Sequence, residues 1–247
     1  MNTETILSRV CAALTLCASD APERGDLFAL RDDLAAQVRK ETAASRGVGN
    51  AAATIQRMLD GMKKKDGRRA LHYAWTDEKG RQCVCDGIRA YRLNEPLPLE
   101  PRPDDAGTGI DLSKVFPDLC NYDAIRLPSV ADVKAHIKIE RAKNGRKHTP
   151  LWDFGPRRPI VNAAYLLDIM TVFPDAAEIF ASRNASLCEP LCIVSERGDG
   201  LLLPVRDKER TADSLLHWYA VSVQHDPDYA MQPDDFALLA AVAYRAA

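Results

Sequence analysis

Residues 159–168 read Pro159-Ile160-Val161-Asn162-Ala163-Ala164-Tyr165-Leu166-Leu167-Asp168, and the order of residue types in them decides the architecture. Asn162 is suited to cap a helix, because its short side-chain oxygen accepts from the free N–H groups of a first turn. The spacing predicts a helix from Ala163 to Phe173. Pro174 closes it, since the residue before a proline is pushed out of the helical region. Downstream, Glu178–Ala181, Leu191–Ser195 and Leu201–Val205 read as three short strands, the last two joined by the turn Arg197-Gly198-Asp199-Gly200.

A helix followed by strands also occurs earlier, around 52–93. Apolar residues at helical spacing (Ile6, Val10, Ala13, Leu14, then Leu27, Leu30, Leu34, Val38) predict two helices within the first 45 residues, broken at Ala21-Pro22-Glu23-Arg24-Gly25. Gly47 and Gly49 end the second helix, and a third is expected from about Ala51 to Lys65. From Ala70 the period becomes two. Leu71, Tyr73 and Trp75 then share a strand face, Asp77-Glu78-Lys79-Gly80 supplies a turn, and a return strand covers Arg81 to about Leu93. The segment 94–121 opens with Pro96, Pro98, Pro101 and Pro103 and reads as a connector, extended at most. Ala124–Leu127 predicts a strand, Ser129 opens a helix reaching about Lys143, and Leu151–Phe154 is a short strand. Beyond Arg206 the pattern is helical again, over Ser214–Val223 and Asp234–Tyr244.

With 46% hydrophobic and 28% charged residues in 247, the composition is that of an ordinary globular chain, able to hold a core without disulfide or metal. No stretch approaches the roughly 20 apolar residues of a bilayer span, and the opening Met-Asn-Thr-Glu-Thr lacks a basic signal-peptide region. The cytoplasm is the expected compartment, and the seven cysteines are read as reduced thiols. A net charge of −2 gives no overall attraction to nucleic acid, so any such binding must come from a local patch.

Three stretches together resemble the bacterial DNA polymerase sliding clamp, the ring-forming processivity subunit. Val84-Cys85-Asp86-Gly87-Ile88-Arg89-Ala90-Tyr91-Arg92-Leu93 resembles the clamp segment Ala-Thr-Asp-Gly-His-Arg-Leu-Ala at the end of a strand pair. Ile125-Arg126-Leu127-Pro128 and the helix Ser129–Arg141 are similar to the strand, proline and helix that follow it. Residues 159–168, with Glu189-Pro190-Leu191 and Gly200-Leu201-Leu202-Leu203-Pro204-Val205-Arg206, resemble the clamp's Asn-x-x-Tyr-Leu-Leu-Asp helix and the strands that end in Pro-Met-Arg. The resemblance covers about 52–206, with gaps. It implies an α+β fold: a DNA-clamp-like domain of antiparallel sheet with covering helices over 51–206, an N-terminal helical extension over 1–50 and a C-terminal helical extension over 207–247.

The function implied is a clamp-like binding protein of DNA replication, such as a mobile element carries. It would act on DNA and replication proteins without catalysis or cofactor, and a closed ring would need self-association. A second implication is an interaction or regulatory protein that keeps the fold without DNA binding or ring formation. The departures point toward the second: the chain has room for about one such domain, Ala163–Phe173 holds Asp168 but no Lys or Arg, and 41 residues follow Arg206. In clamps the last strand helps form a pocket for short partner peptides, a role that would fall here to Pro204, Val205 and Arg206.

Two basic runs are candidates for phosphate contact: Arg57, Lys63, Lys64, Lys65, Arg68 and Arg69 on or past the third helix, and Lys134, Lys138, Arg141, Lys143, Arg146 and Lys147 on or past a later one. The plainer reading is a solvated helix end whose cations complement the macrodipole. Cys83, Cys85, Cys188 and Cys192 lack the Cys-x-x-Cys spacing of zinc knuckles, so no metal is expected. The five histidines show no paired ligand spacing. Hydrolase elbows and phosphate loops are absent, and Asp86-Gly87 reads as turn chemistry, not as an acid catalyst. Trp75, Trp152 and Trp218 read as packing residues before base-stacking platforms.

Overall fold

The computed structural model describes residues 2–64, 68–155, 158–183 and 189–205. Their contacts divide the chain into two compact units. The first holds the residues up to Ser113 with Thr171–Pro174 and Glu196–Gly198; the second holds Lys114–Met170, Asp175–Ser195 and the described residues from Asp199 on.

In the first unit Asn2 caps α1 (Thr3–Leu16) by accepting from the Thr5 amide. Helix α2 (Arg24–Ser45) runs back along it, with Val10 and Leu14 buried between them and Thr3 donating to Glu41 at 2.9 Å. At the hairpin end Phe28 is 37% exposed, with the guanidinium groups of Arg31 and Arg24 lying 4.8 and 5.4 Å from its ring centre. Helix α3 (Gly49–Lys63) is more deeply packed, because Ala51, Ala52, Ile55, Met58 and Leu59 recur on one stripe and all are buried.

Two hairpins follow, each opened by an aspartate and closed by an arginine. Asp77 accepts from the amides of Lys79 and Arg81 through Oδ1 and from Arg81 Nε through Oδ2, which closes the turn between β1 (Trp75–Thr76) and β2 (Gln82–Cys85). Burial acts to raise the Asp77 carboxyl, but the Arg81 amide and guanidinium and the Lys79 amide outweigh it and hold it below the usual range. Asp86 does the same between β2 and β3 (Arg89–Leu93), with Gly87 at φ +84° taking the left-handed position. The strand expected from Leu71 is instead a 3-10 turn, Arg69–Leu71, which buries Leu71 without a ladder, and the single return strand is split at Asp86.

The proline-rich connector is extended but joins no sheet. Its free amides are met by side chains: Leu97 donates to Gln82 Oε1 at 2.8 Å while Gln82 Nε2 donates back to Leu97 O at 3.1 Å, and Glu100 N donates to Gln56 Oε1 at 3.2 Å. Prolines lack the N–H that a ladder needs, so glutamine amides take the place of a partner strand. Short 3-10 turns at Asp104–Ala106, Leu112–Lys114 and Leu119–Asn121 complete the connector.

In the second unit β4 (Tyr122–Arg126) leads through Pro128 to α4 (Val130–Asn144); β5 (Leu151–Asp153) and β6 (Ile160–Asn162) pair with each other. Asn162 Oδ1 accepts from the Ala164 amide at 2.9 Å and opens α5 (Ala163–Val172), as the sequence predicts. Leu166, Ile169 and Phe173 follow at helical spacing, each at most 1% exposed. Strands β7 (Glu178–Ser182), β8 (Leu191–Ser195) and β9 (Gly198–Leu202) follow. The predicted turn at 197–200 is shorter, Glu196-Arg197 alone, and β9 begins at Gly198 where a strand was expected only from Leu201.

The main sheet is seven-stranded and antiparallel, in the order β1-β2-β3-β9-β8-β7-β4. The chain is thus α+β, and α3-β1-β2-β3 and α5-β7-β8-β9 repeat one order of elements. No helix among the described residues is long and apolar enough to cross a membrane.

Cys83, Cys85 and Cys192 are buried, and burial, aided by the Asp77 charge, pushes the Cys83 thiol up to about 11. Since the thiolate is the nucleophile, iodoacetamide at neutral pH is expected to label the exposed Cys11 and Cys120 and to spare these three until denaturant is added. Mass spectrometry of the native protein checks this; modification of Cys83 as fast as Cys11 would contradict it.

Candidate nucleic-acid interface

Helix α4 carries the more open of the two basic runs. Ser129 accepts from the Asp132 amide at 3.1 Å and donates to Asp132 Oδ2 at 2.6 Å, fixing the first turn. Gly145, at φ +88°, ends the helix by donating to Arg141 O at 3.0 Å. One face is anchored: Val133 and Ile137 are buried, His136 Nε2 donates to Leu151 O at 2.6 Å, and its ring meets Trp152 edge-on at 5.3 Å. Near the C-terminus His148 Nε2 lies 3.3 Å from Glu140 Oε2.

Away from that face, Lys134, Lys138 and Arg141 stand at i, i+4 and i+7 and so line one flank of the helix. All three are exposed, as are Lys143, Arg146 and Lys147. Among the described residues none of these six forms an ion pair or hydrogen bond through its side chain, and Ala131, Ala135 and Ala142 beside the stripe leave it unobstructed. A row of exposed cations is able to neutralise more than one negative group along its length.

The first basic run is placed differently. Lys63 is ion-paired with Glu100 and its ammonium lies 4.7 Å from the Tyr73 ring centre. Arg69 is bridged to Asp105, with contacts of 2.9 and 3.0 Å. Arg57 is exposed on α3 and has a partner, while Lys64 and Arg68 are exposed at the end of α3 and before the following turn; Lys65 lies outside the described residues. The acids that neutralise this run sit 36 and 37 residues further on, in the connector, a pairing that residue spacing does not announce.

Of the residues expected to form a peptide pocket, Pro204 and Val205 are half-buried, and Val205 N donates to Ile160 O at 2.8 Å, which seats this stretch beside β6. Arg206, and the helices expected over 214–223 and 234–244, lie outside the described residues. Another arginine pair, unmarked by any motif, brackets Asp123 on β4: Arg183 Nε at 2.7 Å and Arg158 Nη2 at 3.2 Å. Their hydrogen bonds, Arg183 first, hold its carboxyl below the usual range. Both are spent on a carboxylate and are not offered to a ligand.

No protein-family model, curated protein or solved structure matches this chain. Chemistry at the other sequence candidates is equally spare. Asp86 has both oxygens occupied by its own turn and by Arg89, and among the described residues no cluster of three His, Cys, Asp or Glu side chains is arranged around a metal position.

Proposed function

We propose that the chain is a non-catalytic, clamp-like binding protein of DNA replication or its factors, and that α4 is its contact with nucleic acid. The observation that carries this reading is the exposed stripe Lys134, Lys138 and Arg141, without an ion pair among the described residues, on a helix that Val133 and Ile137 anchor along an adjoining face. The repeated order of one helix followed by three strands supports the clamp-like part. Partner peptides would meet the chain at Pro204 and Val205, and a ring would need more than one copy.

The test is DNA binding across a salt series. Reversing Lys134, Lys138 and Arg141 to glutamate is expected to weaken binding at least about 100-fold at low salt and to flatten the slope of log affinity against log salt by about three, close to one for each phosphate that a cation no longer neutralises. Reversing Lys63 and Arg69, already neutralised, is expected to change affinity less than about threefold. Equal losses from the two sets would overturn the assignment to α4.

A second reading has its own observation. Helix α5, the counterpart of the clamp's Asn-x-x-Tyr-Leu-Leu-Asp helix, has no basic residue in its first or last turn and carries Asp168. A clamp-like interaction or regulatory protein without DNA binding fits that helix better. Wild-type protein with no salt-dependent DNA affinity, but with a protein partner retained at Pro204 and Val205, would select it.

A further inference from the structure

Helix α2 turns one face to α1, and among the described residues nothing covers the other over most of its length. Leu27, Leu34, Val38 and Glu41 lie toward α1, where Glu41 accepts from Thr3. At about 100° per residue, the opposite face is centred on Ala36 and holds Ala29, Asp32, Asp33, Arg39, Lys40 and Ala43. Among the described residues the C-terminal part of this face meets α3, burying Ala43. Between the two helices a groove of about 440 Å3 remains, floored by Ala36, Ala43, Ala52 and Ala53, with Arg39 and Lys40 on one wall and Asp60 and Glu100 among the other lining residues.

The charges on this face have an order that names the occupant. Asp32 and Asp33 precede Ala36 by four and three residues, and Arg39 and Lys40 follow it by three and four. Reversing the direction of the helix therefore exchanges acids for bases at the same positions. A second α2 laid antiparallel across Ala36 places its Asp32 and Asp33 against Lys40 and Arg39 of the first, and the reciprocal contacts follow from the same twofold axis. Alanines at 29, 36 and 43 recur every seven residues and allow the axes to approach closely. Within one chain these charges are little used: Asp32 pairs only with its exposed neighbour Arg31, and Asp33, Arg39 and Lys40 make no ion pair among the described residues. A basic or an acidic partner would satisfy one half of the face and repel the other.

We infer that two copies of this chain associate through antiparallel pairing of their α2 helices, each seating the N-terminal half of its helix over the α2–α3 groove of the other. The inference does not depend on nucleic-acid binding by α4. Full-length protein is followed by light scattering and sedimentation equilibrium through the micromolar range, with circular dichroism as a check of folding. Wild type is expected to be a dimer that weakens with salt. The pair Arg39→Glu and Lys40→Glu, and separately the pair Asp32→Lys and Asp33→Lys, are each expected to weaken self-association at least about tenfold, because like charges then face each other. Mixing the two variants in equal amounts restores acid against base at every contact and is expected to return a dimer made of one of each. Monomeric wild type, dimers untouched by either reversal, or a mixture that stays monomeric would each overturn the inference.

Discussion

Replacing Asp86 with alanine is expected to lower the unfolding free energy by about 3–5 kcal/mol, the cost typical of stripping one partner from a buried ion pair. The side chains of Asp86 and Arg89 are only 8% and 7% exposed, although they sit at the tip of a hairpin. Oδ1 accepts from the amides of Ile88 and Arg89 at 2.9 and 2.6 Å, and Oδ2 accepts from Arg89 Nη2 and Nε at 2.6 and 3.0 Å. Alanine removes all four bonds and takes the Asp86 carboxylate away from a buried guanidinium. Urea denaturation of Asp86→Ala, Arg89→Met and the double variant separates the causes. The double variant is expected to be more stable than Asp86→Ala alone, because the buried guanidinium that lost the carboxylate is gone with it. A loss below about 1 kcal/mol for Asp86→Ala, the range of exposed pairs, would remove the burial argument.

The other large effect is expected at Gly198. Its φ is +137°, and a Cβ built there would stand 2.0 Å from the carbonyl oxygen of Arg92 and 3.0 Å from Leu93 Cα. Those are backbone atoms of β3, so no rotamer change relieves the clash. Gly198→Ala is expected to cost more than about 4 kcal/mol, in the range reserved for a broken core or backbone. Gly80→Ala and Gly87→Ala are the controls. Both glycines have positive φ but nothing within 4 Å of the added carbon, and each substitution is expected to cost about 1–2 kcal/mol for the left-handed conformation alone. Thermal or urea unfolding of the three variants decides. If Gly198→Ala unfolds no earlier than the controls, the close approach of β9 to β3 at this residue is refuted.

These two sites show which parts of the fold a linear reading reaches. The Asp86-Gly87 pair announces a turn by its chemistry, and Asn162, Pro174 and Ser129 announce helix ends, because caps and breakers act over three or four residues. Long periodic helices such as α2 and α3 are legible for the same reason. Leu71, Tyr73 and Trp75 mislead, since three alternating residues fit a 3-10 turn followed by a two-residue strand as well as one strand. The three residues of β6, between Pro159 and the helix, are too few to show a period at all. Gly198 reads as a turn residue until the closeness of Arg92 shows a strand start that only glycine can occupy.

The candidate interface divides in the same way. Both basic runs are visible as charge, but their difference lies in partners far along the chain. Glu100 and Asp105 neutralise Lys63 and Arg69 only because the connector folds back over α3, whereas among the described residues no acid pairs with Lys134, Lys138 or Arg141 of α4. Charge counting sees the donors, and only tertiary structure supplies the competitors.

The connector itself is held by two kinds of tie with different sensitivities. Glu100 to Lys63 and Glu95 to Arg46 are electrostatic and fade as ions accumulate. The amides of Gln82 and Gln56 carry no formal charge and neither titrate nor attract counterions. High salt therefore loosens the ion-pair ties while the glutamine amides keep the proline run seated, so the connector holds its place in concentrated and in dilute buffer by different shares of the same contacts.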